Sequence, residues 1–535
     1  MNEMVAIVPQ DDAAQVHLIA AGRPLDRTAT PETMGFKAYN LARMAALGLN
    51  VPAAFVLGTS FCATPEAVTP QAWRNALARL EEVTGLRFGD PRRPLLLSVR
   101  SGAPVSMPGM METLLNIGLT EETLPGLIRL TGHPRLAWDA YRRLVAGYGE
   151  VVAGIEAEAF EADLDAVRQG EDERALDFAA LRDLARRHLD TYARLAGEAF
   201  PQDAAAQLWA AVAAVFRSWS SPKATAYRDM RGLDHAMGTA VIVQRMVFGN
   251  AGGLSGAGVG FTRNPSDGDP APWVDFLFNA QGEDVVSGRR SAQGHDRLEA
   301  VAPRVWQELV EATRALERHF GDMQDFEFTV ENGELFLLQT REGKRTPQAA
   351  ARIALDMLEE GLIDRETARA RTAGLDAAAL TTRVVVAESG AEPVVLGHAA
   401  TASSGVAAGA VALDEAQLAA LEGQGRPAIL VRQNAETHDV ALLDRVDGLL
   451  TQHGARTSHA AVVARQLGKV CLVGCEAMRI DQAVGRIGFS GRWLDPGATV
   501  TLDGNSGTIY AGLLKTVDAV PEDLLARLGR LRDGA

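Results

Sequence analysis

Cysteine is scarce in this chain: Cys62, Cys471 and Cys475 are the only three in 535 residues. A disulfide framework needs more, and the Cys471-x3-Cys475 spacing lacks a second ligand pair for a metal site. The three are read as buried thiols in a reducing compartment. Long apolar runs are missing too. No stretch approaches the ~20 apolar residues that a membrane span requires, so no membrane partner is expected. Met1 to Gln10 lacks a basic region followed by an apolar core. No secretory signal is expected from it, and the cytoplasm is the expected location. Positive charge is in deficit, with 53 Lys and Arg against 68 Asp and Glu and a formal net charge of -15. Nucleic-acid binding rests on phosphate neutralisation by Lys and Arg, so nucleic acid is not expected as the main partner. No internal repeat or low-complexity tract stands out.

What remains is a globular composition, 47% hydrophobic and 23% charged, on a chain too long for one core. A prior of ~150 residues per domain suggests three or four units. Lys37 to Leu47 reads as a helix closed by Gly48, and Pro94 to Val99 as a short strand running into Arg100-Ser101-Gly102. Residues 112–217 carry apolar positions at helical spacing. From Gly238 the period changes to that of strands, at Thr239–Phe248, Gly258–Thr262, Trp273–Phe278, Asp325–Val330 and Leu335–Gln339. A helical stretch from Thr346 to Ala373 leads through a looser segment, Ala387 to Pro393, into a second set of strands. The expected fold class is α/β multidomain. The expected divisions are 1–345 with a helical insertion at about 112–217, a helical connector or hinge at 346–384, a second domain at 385–514, and a charged amphipathic tail at 515–535.

The most informative stretch is Gly454-Ala455-Arg456-Thr457-Ser458-His459-Ala460-Ala461-Val462-Val463-Ala464-Arg465. Thr457 or Ser458 is a natural N-cap, and the helix that follows should end at Gly468. His459 then sits in the first helical turn, where free N–H groups and the positive dipole end favour an anion. An imidazole nitrogen there can attack phosphorus, and nucleophilic catalysis splits one difficult transfer into two easier ones. Helix position alone favours an ordinary capping-region histidine, since most histidines are not catalytic. A preceding apolar strand (Val446, Leu449, Leu450) and small neighbours favour the reactive reading, and the other nine histidines lack this setting.

The stretch TSHAAVVAR resembles the phosphohistidine motif of the dikinase family that includes pyruvate phosphate dikinase and phosphoenolpyruvate synthase. LLLSVRSGAPVSMPGMMETLLNIGL (95–119), MVFGNAGGLSGAGVGFTRNPS (246–266), NAQGEDVVSG (279–288) and MQDFEFTVENGELFLLQTREGKRT (323–346) resemble pyruvate phosphate dikinases in the same order. The resemblance implies an ATP-grasp nucleotide-binding domain followed by a swivelling β/β/α phosphohistidine domain. It implies that Lys37, Arg100 and Arg341 bind the triphosphate, with His459, Arg100 and Arg341 catalytic. Cations there offset charge as the phosphoryl group moves, and most catalysis of this reaction type is such electrostatics and positioning. Glu327 and Gln339 match positions that hold Mg2+ and nucleotide. Gln244 and Met246 are candidate adenine-edge contacts, with core packing as the alternative. Gln281, with Glu283 and Asp284, is a candidate support for metal or ribose.

Several details follow. For Glu327 and Gln339 to share a strand face, the hairpin needs a three-residue loop, Asn332 to Glu334, which also pairs Asp325 with Arg341. The loop Gly102–Met111 resembles a lid over phosphates. Gly256-x-Gly258-x-Gly260 opens no helix and is not read as a dinucleotide site. Phe36 and Ala38 replace glycines usual beside the lysine, Ala455 replaces another, and Arg456 resembles the synthase branch.

The family's third domain, a (β/α)8 barrel for phosphoenolpyruvate and pyruvate, is not expected in the ~30 residues after Asp503-Gly504, since a barrel needs ~250. The expected partners are therefore ATP, phosphate, a separate barrel-type acceptor subunit, and a second copy of the chain in a homodimer. The expected reaction is phosphorylation of His459 by ATP with phosphate as co-acceptor, giving AMP and pyrophosphate. The phosphoryl group then passes to pyruvate or another acceptor. The alternatives are a synthase-like use of water and a non-catalytic, nucleotide-binding scaffold.

Overall fold

In Leu97–Gly102 successive side chains turn to opposite faces, yet five of the six residues are buried, which marks a strand covered on both sides. The computed structural model that shows this describes residues 16–533 except 106, 108–109, 171–172, 287–292, 387–392, 436, 457 and 483. The chain divides into two compact units, Met1–Gly252 with Phe336–Thr340, and Gly253–Leu335 with Arg341–Ala535.

The first unit holds a five-stranded sheet of Val16–Ile19 (β1), Ala54–Leu57 (β2), Leu97–Gly102 (β3), Thr113–Ile117 (β4) and Ala240–Arg245 (β5). Its order is β1-β2-β5-β3-β4, and the pairings are antiparallel. β4 falls inside the span read from sequence as helical. Pairing with β3 at Leu97–Ile117, Val99–Leu114 and Arg100–Thr113 decides its conformation, an instance of tertiary context overriding local pattern. The helices of the insertion run from Leu124 to Arg231. They bury Tyr141, Tyr148, Tyr192 and Phe200 in mutual ring contact.

Helix α1, Phe36–Ala46, starts hard against the end of β3. Gly35 has φ 75°, and a Cβ there would lie 1.7 Å from the Gly102 carbonyl oxygen. Only glycine allows this approach, and the Phe36 N–H donates to Ala103 O at 2.8 Å.

A second sheet has strands Gly256–Phe261 (β6), Trp273–Phe278 (β7), Gln293–Gly294 (β8), Gln324–Glu331 (β9) and Glu334–Glu342 (β10), ordered β8-β7-β6-β9-β10, and all of it except Phe336–Thr340 of β10 falls in the second unit. The Gly256-x-Gly258-x-Gly260 motif is a packing device in this sheet. Period two puts all three glycines on one face, and the space left by their missing side chains is filled by aromatic rings. A Cβ on Gly256 would meet Phe276 at 2.1 Å, one on Gly258 would meet Phe328 at 2.4 Å, and one on Gly260 would meet Phe326 at 2.9 Å. Phe276 and Phe328 flank Gly258 in register and stack across it with centroids 5.7 Å apart.

Helix α2, Pro347–Glu359, follows, capped by Thr346. It is bolted to the β6 sheet through the fully buried Arg263, which binds Glu317 and, at 2.6 Å, Glu360. An eight-stranded sheet comes next: Val395–His398 (β11), Ala400–Ser403 (β12), Val406–Ala412 (β13), Ala428–Arg432 (β14), Gly448–Thr451 (β15), Val470–Val473 (β16), Thr499–Asp503 (β17) and Thr508–Ala511 (β18). Its order is β11-β18-β17-β13-β14-β15-β16-β12, with β13 to β16 parallel. Helix α3, His459–Gln466, lies between β15 and β16 in sequence. Residues 387–392, in the looser segment expected from sequence, lie outside the described residues.

The C-terminal stretch expected as a tail forms helix α4, Glu522–Asp533. Leu524, Leu528 and Leu531 pack on Ala351, Leu355, Ala368 and Leu380, and Arg527 binds Asp356 at 2.7 Å. Amphipathic spacing buried against the connector explains the difference. No helix among the described residues is long and apolar enough to cross a membrane.

Gly258→Ala should destabilise the second unit by about 1–3 kcal/mol, because the new methyl overlaps Phe328. Its denaturation midpoint, compared with that of Gly282→Ala, where a Cβ meets nothing within 4 Å, checks this.

Candidate functional site

In the first unit, Lys37 is the second residue of α1, where its charge adds to the helix's positive end. Arg100, half-buried on β3, stands opposite Ile242 and two residues before Gly102, which Gly35 abuts. The Gly35–Gly102 approach therefore brings the two cation-bearing backbones together. The helix continues to Asn40, whose side chain donates to Thr340 O at 3.0 Å. This ties α1 to the residue after Gln339, itself 7% exposed.

Gln244 shares a sheet face with Arg100, by the pairs Ser98–Gln244 and Arg100–Ile242. It is buried and donates its amide N–H to Pro52 O at 3.0 Å. Met246 is buried in the main core of this unit, and its backbone N–H donates to Leu96 O. In the lid-like loop Met107 packs with Ala103 and Trp219, while 106 and 108–109 lie outside the described residues.

The second unit holds the remaining candidates. Glu327 lies on β9 opposite Val259, and Arg341 on β10 donates to Asp325 at 2.8 Å. The hairpin differs from expectation. Its turn has two residues, Asn332 and Gly333, with φ 52° and 83°, the left-handed pair that Asn-Gly favours. The three-residue loop is not formed, because both turn positions accept positive φ without strain. Asp325 and Arg341 are in contact all the same. Burial raises the Asp325 carboxyl above its ordinary range despite the pull of Arg341. For Arg341, burial is outweighed by Asp325 and Glu327, which raise its pKa and keep it charged. Gln281 precedes a short helix, Gly282–Val286, and its backbone N–H donates to the Asp284 carboxylate at 2.9 Å.

His459 is the first residue of α3, directly after the buried Ser458. Ser458 holds the N-cap position without a side-chain capping bond, and the other expected cap, Thr457, lies outside the described residues, as does the His459 side chain. The loop before it is anchored by a residue that sequence reasoning noticed only as a departure. Arg456 Nε donates to Asp275 Oδ1 at 2.8 Å, its Nη2 donates to Val274 O at 3.0 Å, and its guanidinium lies 4.1 Å from the Trp273 ring centroid. Asp275 is 2% exposed, so a charged partner is what makes its burial tolerable. Arg465, near the end of α3, lies over Phe261 and Trp273 of the same sheet. Asp275 and Trp273 were missed because the signal is a contact across 181 residues, with no local pattern to reveal it.

Comparison with known proteins bears on this arrangement. The family described as "Pyruvate phosphate dikinase, AMP/ATP-binding domain" matches residues 63–299 and 292–362, and "PEP-utilising enzyme, mobile domain" matches 424–507. The chain belongs to the pyruvate phosphate dikinase family. The first match contains every nucleotide-site candidate except Lys37, and the second contains His459. The chain is 41% identical over 524 residues to the pyruvate, phosphate dikinase of Rhizobium meliloti (strain 1021), covering 94% of this chain and 58% of that protein. It is 41% identical over 503 residues to that of Clostridium symbiosum (91% and 57%), and 40% identical over 520 residues to that of Giardia intestinalis (94% and 58%). It thus spans less than three-fifths of the length of these curated relatives. Among the described residues no cluster of three or more His, Cys, Asp or Glu is arranged to hold a metal ion alone.

The Asp325 pair has a pH signature. With its pKa raised by burial, folded Asp325 keeps its proton to higher pH than the unfolded chain, whose carboxyl has a pKa of ~3.9. Its contribution to stability is present below that value and lost as pH rises through the folded one. Asp325→Asn should therefore gain in stability relative to the parent as pH rises through this range. Parallel denaturation curves at several pH values check the sign.

Proposed function

We propose that this chain is an ATP-dependent phosphotransferase that carries a phosphoryl group on His459. The observation that carries the reading is His459 at the first position of α3, on a loop gripped by Arg456, inside the mobile-domain match. The names of the relatives, each a pyruvate, phosphate dikinase, support the same assignment. In this reading residues 1–345 form an ATP-grasp nucleotide-binding region, 346–384 a connector, and 385–514 the phosphohistidine domain.

An imidazole nitrogen of His459 bonds to the β-phosphorus of ATP as the α–β bridging bond breaks, and AMP leaves. Inorganic phosphate then takes the γ-phosphoryl group, pyrophosphate departs, and the β-phosphoryl remains on nitrogen. Lys37, at a helix N-terminus, and Arg100, on the strand beside it, offset phosphate charge. Arg341, held charged and oriented by Asp325, does the same from β10. Mg2+, with Glu327 as a protein oxygen donor, would supply the remaining charge neutralisation when bound; Gln339, expected on that face only with a three-residue loop, is left out of the donor set. The helix N-terminus at His459 favours the anionic phosphohistidine over the free ring. The phosphoryl group then passes to pyruvate, the acceptor in the relatives' names, or to another acceptor.

Incubation with ATP labelled separately at the β- and γ-positions, with and without phosphate, tests the reading. Acid-labile label should be retained from the β-position and abolished in His459→Ala; no such label under any condition would overturn it. Loss of the γ-label from the enzyme without added phosphate, with the β-label retained, would favour the synthase-like use of water, a reading kept open because Arg456 resembles that branch.

Arg341→Met should slow phosphoenzyme formation ~10²-fold or more, the cost of removing one preorganised cation. Rapid-quench measurement of the labelled intermediate checks this, and Arg341→Lys should recover part of the rate.

A further inference from the structure

Three of the arginines at the β6 sheet, Arg341, Arg456 and Arg465, are not equally paired. Arg456 has Asp275 and Arg341 has Asp325. Arg465 has no carboxylate within ion-pair distance among the described residues. It is 4% exposed and uses Nε and Nη2 on Ala402 O, at 2.8 and 2.5 Å. Its Nη1 is buried without a hydrogen-bond partner. A guanidinium nitrogen left in that state costs free energy unless a ligand completes it.

Arg465 lines a cavity of about 240 Å³, room for a small molecule. The other walls suit an anion. Thr346 and Gln348 bring the N-terminus of the 13-residue helix α2 to it, with its positive dipole end. Ser404 and Gly405 bring the turn between β12 and β13, and Arg383 stands exposed at the mouth. Burial pulls the Arg465 pKa down to about 10, which still leaves the guanidinium charged at neutral pH. The nearby carboxylates of Asp275 and Asp325 each have their own cation.

We infer that this cavity is a binding site for a small phosphate-bearing anion, held by Arg465, the start of α2 and the Ser404-Gly405 turn. It does not rest on the phosphotransfer reading, and His459 takes no part in it. An occupant would tie the start of α2 to the sheet that carries α3. The shared chemistry is a phosphate group, free or as a small ester.

The test is calorimetric titration with inorganic phosphate and, separately, glycerol 3-phosphate, at constant ionic strength in chloride. It uses the Arg100→Ala/Arg341→Ala protein, so that phosphate at the proposed nucleotide site does not contribute. One saturable equivalent is expected. Adding Ser404→Glu, which places a carboxylate at the half-buried rim, should weaken binding by about tenfold or more, roughly the loss of one charge-assisted hydrogen bond. Arg465→Lys should retain binding better than Arg465→Met. Because Arg465→Met also removes buried packing, Ser404→Glu is the decisive variant. The tighter of the two probes identifies the source as free phosphate or ester. Absence of saturable binding, or binding unchanged by Ser404→Glu, would overturn the inference.

Discussion

A carboxylate buried in the middle of a strand must find a cation, and for Asp275 that cation comes from 181 positions further along the chain. Arg456 supplies a charge-assisted bond, a second bond to the Val274 carbonyl, and a face for the Trp273 ring. Removing one partner of such a buried pair costs ~3–5 kcal/mol, because the other charge is left stranded. A desolvated cation–π contact adds ~2 kcal/mol. Interactions of this size hold the loop three residues before His459 to one place on the β7 strand. The position of the candidate nucleophile in this unit thus follows from the desolvation of a single aspartate.

The sheet that receives this loop depends on a second constraint, the three glycines of β6. Their missing side chains admit Phe276, Phe326 and Phe328, and the rings fill one face completely enough that a single methyl would not fit. The rigid layer beneath Asp275 and Asp325 is therefore built from alternation alone. Charged groups on it stay where the strand period puts them. This is why Arg341 meets Asp325, and why Arg465 is held over Phe261 and Trp273 with one nitrogen unspent.

Much of the fold was legible. Strand β7 falls where its run of Trp, Val, Phe and Leu indicates, β15 likewise, and α1 begins one residue before Lys37. The cap at Ser458 and the stop at Gly468 bracket α3 because both are local chemistry, an extended N-cap residue and a glycine at φ 67°. Two differences are non-local in cause. β4 is a strand because β3 pairs with it, and α4 is docked because the connector offers Ala351 and Leu355. The hairpin turn is the exception, a local matter: Asn332-Gly333 accepts positive φ at both positions and closes in two residues.

The sequence by itself determined the family, the order of the elements, the residue types at the candidate site and the helix start at His459. Each of these is written in short-range pattern: period, cap, turn and motif. Tertiary structure decided which charges meet. Arg456 and Asp275, and the unpaired nitrogen of Arg465, are outcomes of burial, and burial exists only once distant segments close over one another, whereas Arg341 and Asp325 meet within one hairpin. A carboxylate in water needs no particular partner, whereas one enclosed in a sheet does, and no local reading of the chain can say which residue will be there.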